Sequence, residues 1–216
     1  MSITAQSVVD DAELILMDSD NDHWTEAELF GYLKDGEKET AIHKPDIYII
    51  NDDVVLVEGT RQSLPSGAIH LIDIVRNMGT NGSTIGDVIT LIDKKSFDAI
   101  DRSWHKATAS ATVEHFMFDS RDPTRFYVYP PQPSSSFGYV DMIYASIPPT
   151  ISAISSNINL DDIYKHVLVN YLLYRAYSKD VDISADGGAK ATFYYKMFLQ
   201  GLGVKDQKEE ADAPKR

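Results

Sequence analysis

The chain has no cysteine. That excludes disulfides, thiolate metal sites and a cysteine nucleophile, and it fits synthesis in a reducing compartment such as a cytoplasm. No run of about 18 apolar residues is present, so neither a membrane-spanning helix nor a membrane partner is expected. The opening MSITAQSVVDDAELILMDSD lacks a basic n-region and carries acids early, so it does not read as a secretory signal. G-x-S-x-G, G-x-G-x-x-G and P-loop signatures are missing. GTNGSTIG (residues 79–86) is spaced wrongly for a nucleotide fold and reads as a loop. The six histidines, at 23, 43, 70, 105, 115 and 166, form no HExxH or HxH run. No metal site, cofactor or catalytic residue is therefore expected.

Basic residues are scarce where acids are dense. The whole chain carries 33 acids against 20 Lys and Arg, a net charge of −13. Residues 1–60 hold 15 of those acids and only Lys34, Lys38 and Lys44, a balance of −12. No basic stripe is visible, which disfavours wrapping on a phosphate backbone. An acidic wall is compatible with DNA sliding past without sticking, and equally with a solvated surface or a basic protein partner. The 43% hydrophobic and 25% charged shares place the chain among ordinary globular proteins, and 216 residues suffice for one core plus a subdomain.

Periodicity divides the chain into three stretches and a tail. In residues 3–17, Ile3, Val8, Ala12, Ile15 and Leu16 recur at helical spacing. Thr25-Glu-Ala-Glu28 is a capping-box pattern that opens a second helix. Leu29, Leu33 and Ile42 should face its core, Gly36 should loosen it, and Pro45 should end it. Residues 47–58 read as strand around an Asn51-Asp52-Asp53 turn, and 68–76 and 88–92 read as strands. Residues 94–101 suggest a short helix ending near Trp104. TVEHFMFD and RFYVYPP flank a turn containing Asp122-Pro123, and 139–145 is a further strand, giving a three-stranded meander as the simplest topology. Asn159 is a candidate cap for a helix bearing Ile163, Val167, Leu168, Tyr171 and Leu172. The last helix, 189–202, should place Phe193, Met197 and Leu202 on one side. The expected class is α+β. A helical part (1–46) and a C-terminal helical part (151–204) pack together, a β-rich insertion (47–150) separates them, and a charged tail (205–216) should be disordered when alone.

Candidate chemistry is sparse. Asp119 and Asp122 flank a hairpin turn and could be paired carboxylates or Ca²⁺ ligands, although turn residues bonding local amides explain them as well. A hydrolase using carboxylates such as Asp119 or Asp141 would need a concave pocket with perturbed acids. Aromatics are dense from Phe116 to Tyr144, as a small β core or as a protein-contact surface.

Several segments, in order, resemble the head-to-tail adaptor family of short-tailed bacteriophages (connector, or tail tubular protein A-like). They are ELFGYLKDGEKETAIHKPD (28–46), VEGTRQSLP (57–65), DIVRNM (73–78), DAIDRSW (98–104), DSRDPTRFYVYPP (119–131) and YYKMFLQGLG (194–203). The tryptophan-ended segment followed by a D-x-x-x-P-x-x-F-x-V-x-P-P hairpin carries most of the resemblance. It implies a virion structural protein of the neck: a ring, usually of twelve copies, between the portal protein and the tail tube or nozzle. DNA would pass through the channel without sequence-specific binding. The resemblance also implies a portal-docking C-terminal segment, for which Lys205, Lys208, Glu209, Lys215 and Arg216 are the candidates. The β-rich insertion, with its 131–138 loop, would face the tail through Tyr129, Gln132, Phe137 and Tyr139. A monomeric binding module using the aromatic β surface is the alternative.

Overall fold

The computed structural model describes residues 3–180 and 186–203. The fold is α+β, with five helices and two sheets among the described residues. The chain divides into two compact units, one of Met1–Ile47 with Pro148–Arg216 and one of Tyr48–Ile147.

The first unit is helical. α1 (Ala5–Leu16) starts where the Thr4 hydroxyl accepts from the Ser7 amide, and α2 (Glu26–His43) starts where Thr25 accepts from Glu28. The Thr4 segment is pinned to the 154–158 loop: the amides of Ala5 and Gln6 donate to the carbonyls of Ser156 and Ile154. Ala5, Val8, Val9, Ala12 and Leu16 form the buried stripe of α1, while Ile15, expected there, is 45% exposed. α2 is continuous through Gly36. The glycine serves contact instead of bending: a Cβ there would sit 2.9 Å from the Tyr171 ring. Ile42, expected in the core, is exposed.

α4 (Lys165–Lys179) follows a tight turn (Asp162–Tyr164) capped by Asp161, not by Asn159, and Ile163 in that turn is exposed. Two adjacent stripes of α4, about 100° apart, are buried. Leu168, Leu172 and Ala176 join α1 and α2, while Val167 and Tyr171 join α5 (Gly187–Gly201). α5 buries Ala191, Phe198 and the following Leu202, so the face carrying Phe193 and Met197 points the other way, a correction to the expected stripe.

The second unit is built on β1 (Ile49–Val55), β2 (Gly59–Ser63), β3 (Ala68–Asn77), β4 (Thr90–Leu91), α3 (Lys94–Ile100), β5 (His115–Asp119), β6 (Asp122–Gln132) and β7 (Tyr139–Ser146). β1 runs straight through Asn51, Asp52 and Asp53, because as an edge strand it can hold them out in water. β5 and β6 form the expected hairpin, but Asp122 already belongs to β6. β7 does not continue a meander. It crosses to the other sheet and lies between β1 and β3, in the order β1-β7-β3, while β2-β6-β5-β4 forms the second sheet. One core, including Ile74, Val140, Met142, Phe116, Phe126 and Val128, is shared by the two sheets.

Candidate interaction surfaces

The acid-rich N-terminal stretch is partly neutralised inside the first unit. Lys165, Arg175 and Lys179, all on α4, pair with Asp11 (2.7 Å), Asp35 (3.2 Å) and Glu28 (2.9 Å). Glu28 also accepts from the Tyr32 hydroxyl at 2.7 Å. Burial, then that bond, pushes the Tyr32 phenol up to about 12. Glu37 is buried and accepts from both the amide and the Nδ2 of Asn159, while burial raises its pKa. The acids left in water gather around the end of α1. Asp20, Asp22 and Glu26 are exposed, and Asp18 closes the loop by accepting from the amides of Asp22, His23 and Trp24. Those bonds, led by the one from Trp24, hold the Asp18 carboxyl below its ordinary range.

Large apolar side chains stand among these charges. Leu14 is 77% exposed and Met17 is 93% exposed, at the end of α1. Phe193 and Met197 stand out on α5. Scattered exposed apolar residues are ordinary on a protein surface.

In the second unit the aromatics divide between two faces. Phe116, Phe118, Phe126 and Val128 enter the core. His115, Tyr127 and Tyr129 point to the opposite face, where α3 and the following turn cover them: Phe97 lies 5.1 Å from Tyr129, and Trp104, 1% exposed, lies 6.2 Å from Tyr127. Trp104 donates its indole N–H to Asp98 at 2.8 Å, which explains why the DAIDRSW segment ends in tryptophan. His105 stacks on Trp104, and burial, followed by the charge of Lys94, lowers its pKa.

The four expected tail-side residues meet different fates. Tyr129, Phe137 and Tyr139 are half-buried. Tyr139 packs beneath Gly82, where a Cβ would come within 3.0 Å of its ring. Gln132 is only 2% exposed: its Nε2 donates to the Ser110 carbonyl and its Oε1 accepts from the Gly138 amide. It therefore braces the 133–138 loop from inside, and Ser134, Ser135 and Ser136 are the loop's exposed tip. Asn77 and Gln62 brace neighbouring loops in the same way, Asn77 through the Asp87 and Val113 backbone and Gln62 through Val57 and Gly59. Such buried amides read as solvent-facing polar residues in sequence, so periodicity alone does not reveal them. The expected portal-docking residues Lys205, Lys208, Glu209, Lys215 and Arg216 lie outside the described residues.

Two of the carboxylates weighed for catalysis, Asp119 and Asp141, are occupied locally. Asp119 accepts from the amide and guanidinium of Arg121, which hold its carboxyl well below the usual range. Asp141 is bonded to Arg76 at 3.0 Å. Asp119 is thus shifted away from the raised pKa that a general acid requires. A cleft beside the hairpin is lined by Lys94, Lys95, Arg121 and Arg125 together with Asp93 and Asp122, so its charge is mixed. Among the described residues, no three His, Asp or Glu side chains gather in a way that could hold a metal ion, and no helix is long and apolar enough to cross a membrane.

No curated protein matches the chain. A family model described as SU10 adaptor protein matches residues 3–216, from the first described turn to the last residue. With nearly all of its length matched, the chain belongs to the SU10 adaptor protein family, a phage structural family of adaptor type.

Proposed function

We propose that the protein is a head-to-tail adaptor of the virion neck. Copies close into a ring, twelve by resemblance to short-tailed phage connectors, between the portal protein above and the tail tube or nozzle below. DNA crosses the channel without sequence-specific contacts. The observation that carries this reading is the adaptor-family match over residues 3–216. Two features of the fold support it. Asp119 and Asp141 are committed to internal bonds with Arg121 and Arg76, and large apolar side chains stand exposed on two helices. Subunit contacts in a closed ring are heterologous, so such surfaces need not match themselves.

In this reading residues 205–216, with Lys205, Lys208, Glu209, Lys215 and Arg216, dock to the portal. The second unit presents the 133–138 loop to the tail, with Tyr129, Phe137 and Tyr139 supporting it and Gln132 holding it in place. The alternative, a monomeric module binding through the aromatic β strands, has less surface to offer because α3 and Trp104 cover Tyr127 and Tyr129.

Light scattering of the protein, with and without the portal protein of the same phage, tests the proposal. A large stoichiometric complex is expected. A chain that stays monomeric and ignores the portal would overturn it.

A further inference from the structure

The loop between β3 and β4 holds the one Asn-Gly pair of the chain, Asn81-Gly82. The loop is tied at both ends. The Tyr139 amide donates to the Gly79 carbonyl at 2.7 Å, and the Gly86 amide donates to the Asn77 carbonyl at 2.8 Å. Its tip, with Asn81, Ser83 and Thr84, stands in water. Gly82 adopts a φ of +70° and lies against the Tyr139 ring, so the position favours glycine on two counts. The other six asparagines precede Asp22, Asp52, Met78, Ile158, Leu160 and Tyr171, all with bulkier side chains.

The Asn81 carboxamide is held in a defined pose. Its Oδ1 accepts from the amides of Ser83 and Thr84 at 3.0 and 3.1 Å, and its Nδ2 donates to the Thr84 hydroxyl at 3.1 Å. Bonds to residues two and three places on fold the side chain back over the peptide link to Gly82. Turn formation alone would explain one such bond. Two N–H groups on one carboxamide oxygen also polarise its Cγ, which is how an oxyanion hole prepares a carbonyl for attack. The nucleophile in reach is the Gly82 backbone nitrogen. Glycine has no Cβ to hinder the approach, and the folded-back pose replaces a search through rotamers.

We propose that Asn81 is a self-modification site, where the folded protein converts its own carboxamide to aspartate and isoaspartate with water as the only co-reactant. The Gly82 nitrogen loses its proton to water and bonds to Asn81 Cγ. Negative charge collects on Oδ1, where the Ser83 and Thr84 amides already donate. The Cγ–Nδ2 bond breaks, and the nitrogen takes a proton from water and leaves as ammonia. A water molecule then opens the cyclic imide. Attack at Cγ restores the normal backbone with an aspartate, and attack at the main-chain carbonyl leaves the chain running through Cγ as an isoaspartate. One water is consumed and one ammonia released, with no oxidation or reduction. Either product adds a negative charge to the loop, and the isoaspartate also lengthens the main chain beside Tyr139. None of this chemistry depends on ring assembly.

The test incubates the full chain at mildly alkaline pH in heavy-oxygen water and maps its peptides by mass spectrometry, with isoaspartate read by enzymatic methylation. Conversion with heavy-oxygen uptake is expected at position 81 and not at the other six asparagines. It should quicken as pH rises, because the attacking nitrogen must lose its proton. The same chain unfolded in guanidinium chloride is the reference, and the folded chain should convert at least as fast. Ser83→Pro removes one of the two donors to Oδ1. It should slow conversion roughly tenfold or more in the folded chain and leave the unfolded rate unchanged. If that variant does not fold, the wild-type ratio of folded to unfolded rates decides alone. A folded rate roughly tenfold or more below the unfolded one would show that the turn restrains the carboxamide and would overturn the proposal. Equal conversion at the other asparagines would overturn it too.

Discussion

The Glu37 carboxylate accepts from the Asn159 amide at 2.7 Å and from its Nδ2 at 2.8 Å, joining the middle of α2 to the loop that leads into α4. The glutamate is 2% exposed, so this polar pair replaces water for a buried charge. Glu37→Ala leaves the Asn159 N–H without an acceptor and should cost about 2–3 kcal/mol. Urea unfolding followed by Trp24, which lies in the same unit, reads the change in a Trp104→Phe background. A loss under about 0.5 kcal/mol would show that water replaces the carboxylate.

The same residue sets a pH dependence. Burial raises its folded pKa above 4.5. Below that value the carboxyl is protonated in both states and contributes no difference. As pH rises above 4.5 the unfolded chain ionises first, so the folded state loses stability until its own raised pKa is passed. Wild-type stability, measured relative to Glu37→Gln, should therefore fall as pH rises from 4.5 and then level off. A relative gain over that range would mean that the Asn159 bonds outweigh burial.

Two glycines of α2 should respond in opposite directions. Nothing lies within 4 Å of a Cβ built on Gly31, so Gly31→Ala should stabilise by about 0.5–1 kcal/mol through helix propensity alone. At Gly36 the added methyl meets Tyr171 at 2.9 Å and Leu168 at 3.5 Å. Both partners are buried, so Gly36→Ala should destabilise by about 1–3 kcal/mol despite the same gain in propensity. Melting temperatures of the two variants, measured side by side, decide it. A shared sign would show that α4 yields to the new methyl.

How far the sequence could be read follows from which forces act locally. Thr25 capping Glu28 and the β5–β6 hairpin rest on neighbours a few residues apart, and both were legible. The partner of β7 was not legible, because an alternating strand looks the same whichever sheet receives it. α5 was misread for a different reason. Its buried stripe is made of small and aromatic residues, Ala191, Tyr194, Tyr195 and Phe198, while the more hydrophobic Phe193 and Met197 face outward. A periodicity argument assigns the most apolar side inward, and that assumption fails on α5, where Phe193 and Met197 face outward. Of the expected contact residues, Gln132 was placed at the surface because glutamine usually is, whereas here it bonds Ser110 and Gly138 internally.

Phe126 is fully buried where the two sheets meet, opposite Phe118 in the hairpin. Phe126→Ala should cost about 3–5 kcal/mol, because a cavity in a core flanked by two hydrogen-bonded sheets closes poorly. Trp104 fluorescence, in a Trp24→Phe background, reports unfolding of that unit. A cost under about 1 kcal/mol would show that the ring is dispensable to the core.

Removing residues 205–216 should separate docking from folding. The segment has four acids, four bases and no apolar side chain larger than alanine, so it brings no hydrophobic stabilisation. The truncated chain should keep the Trp24 and Trp104 unfolding midpoints of the full chain. Its binding to the portal protein should weaken, since the proposed docking groups Lys205, Lys208, Glu209, Lys215 and Arg216 are gone. What remains should also depend less on salt, because charge pairs at a wet interface are screened within about 10 Å at 0.1 M. Titrations at two ionic strengths therefore give four affinities. A steep salt dependence in the full chain that vanishes on truncation supports charge-mediated docking by this segment. Equal affinities for the two chains at both ionic strengths would move the portal contact elsewhere on the first unit or onto the second.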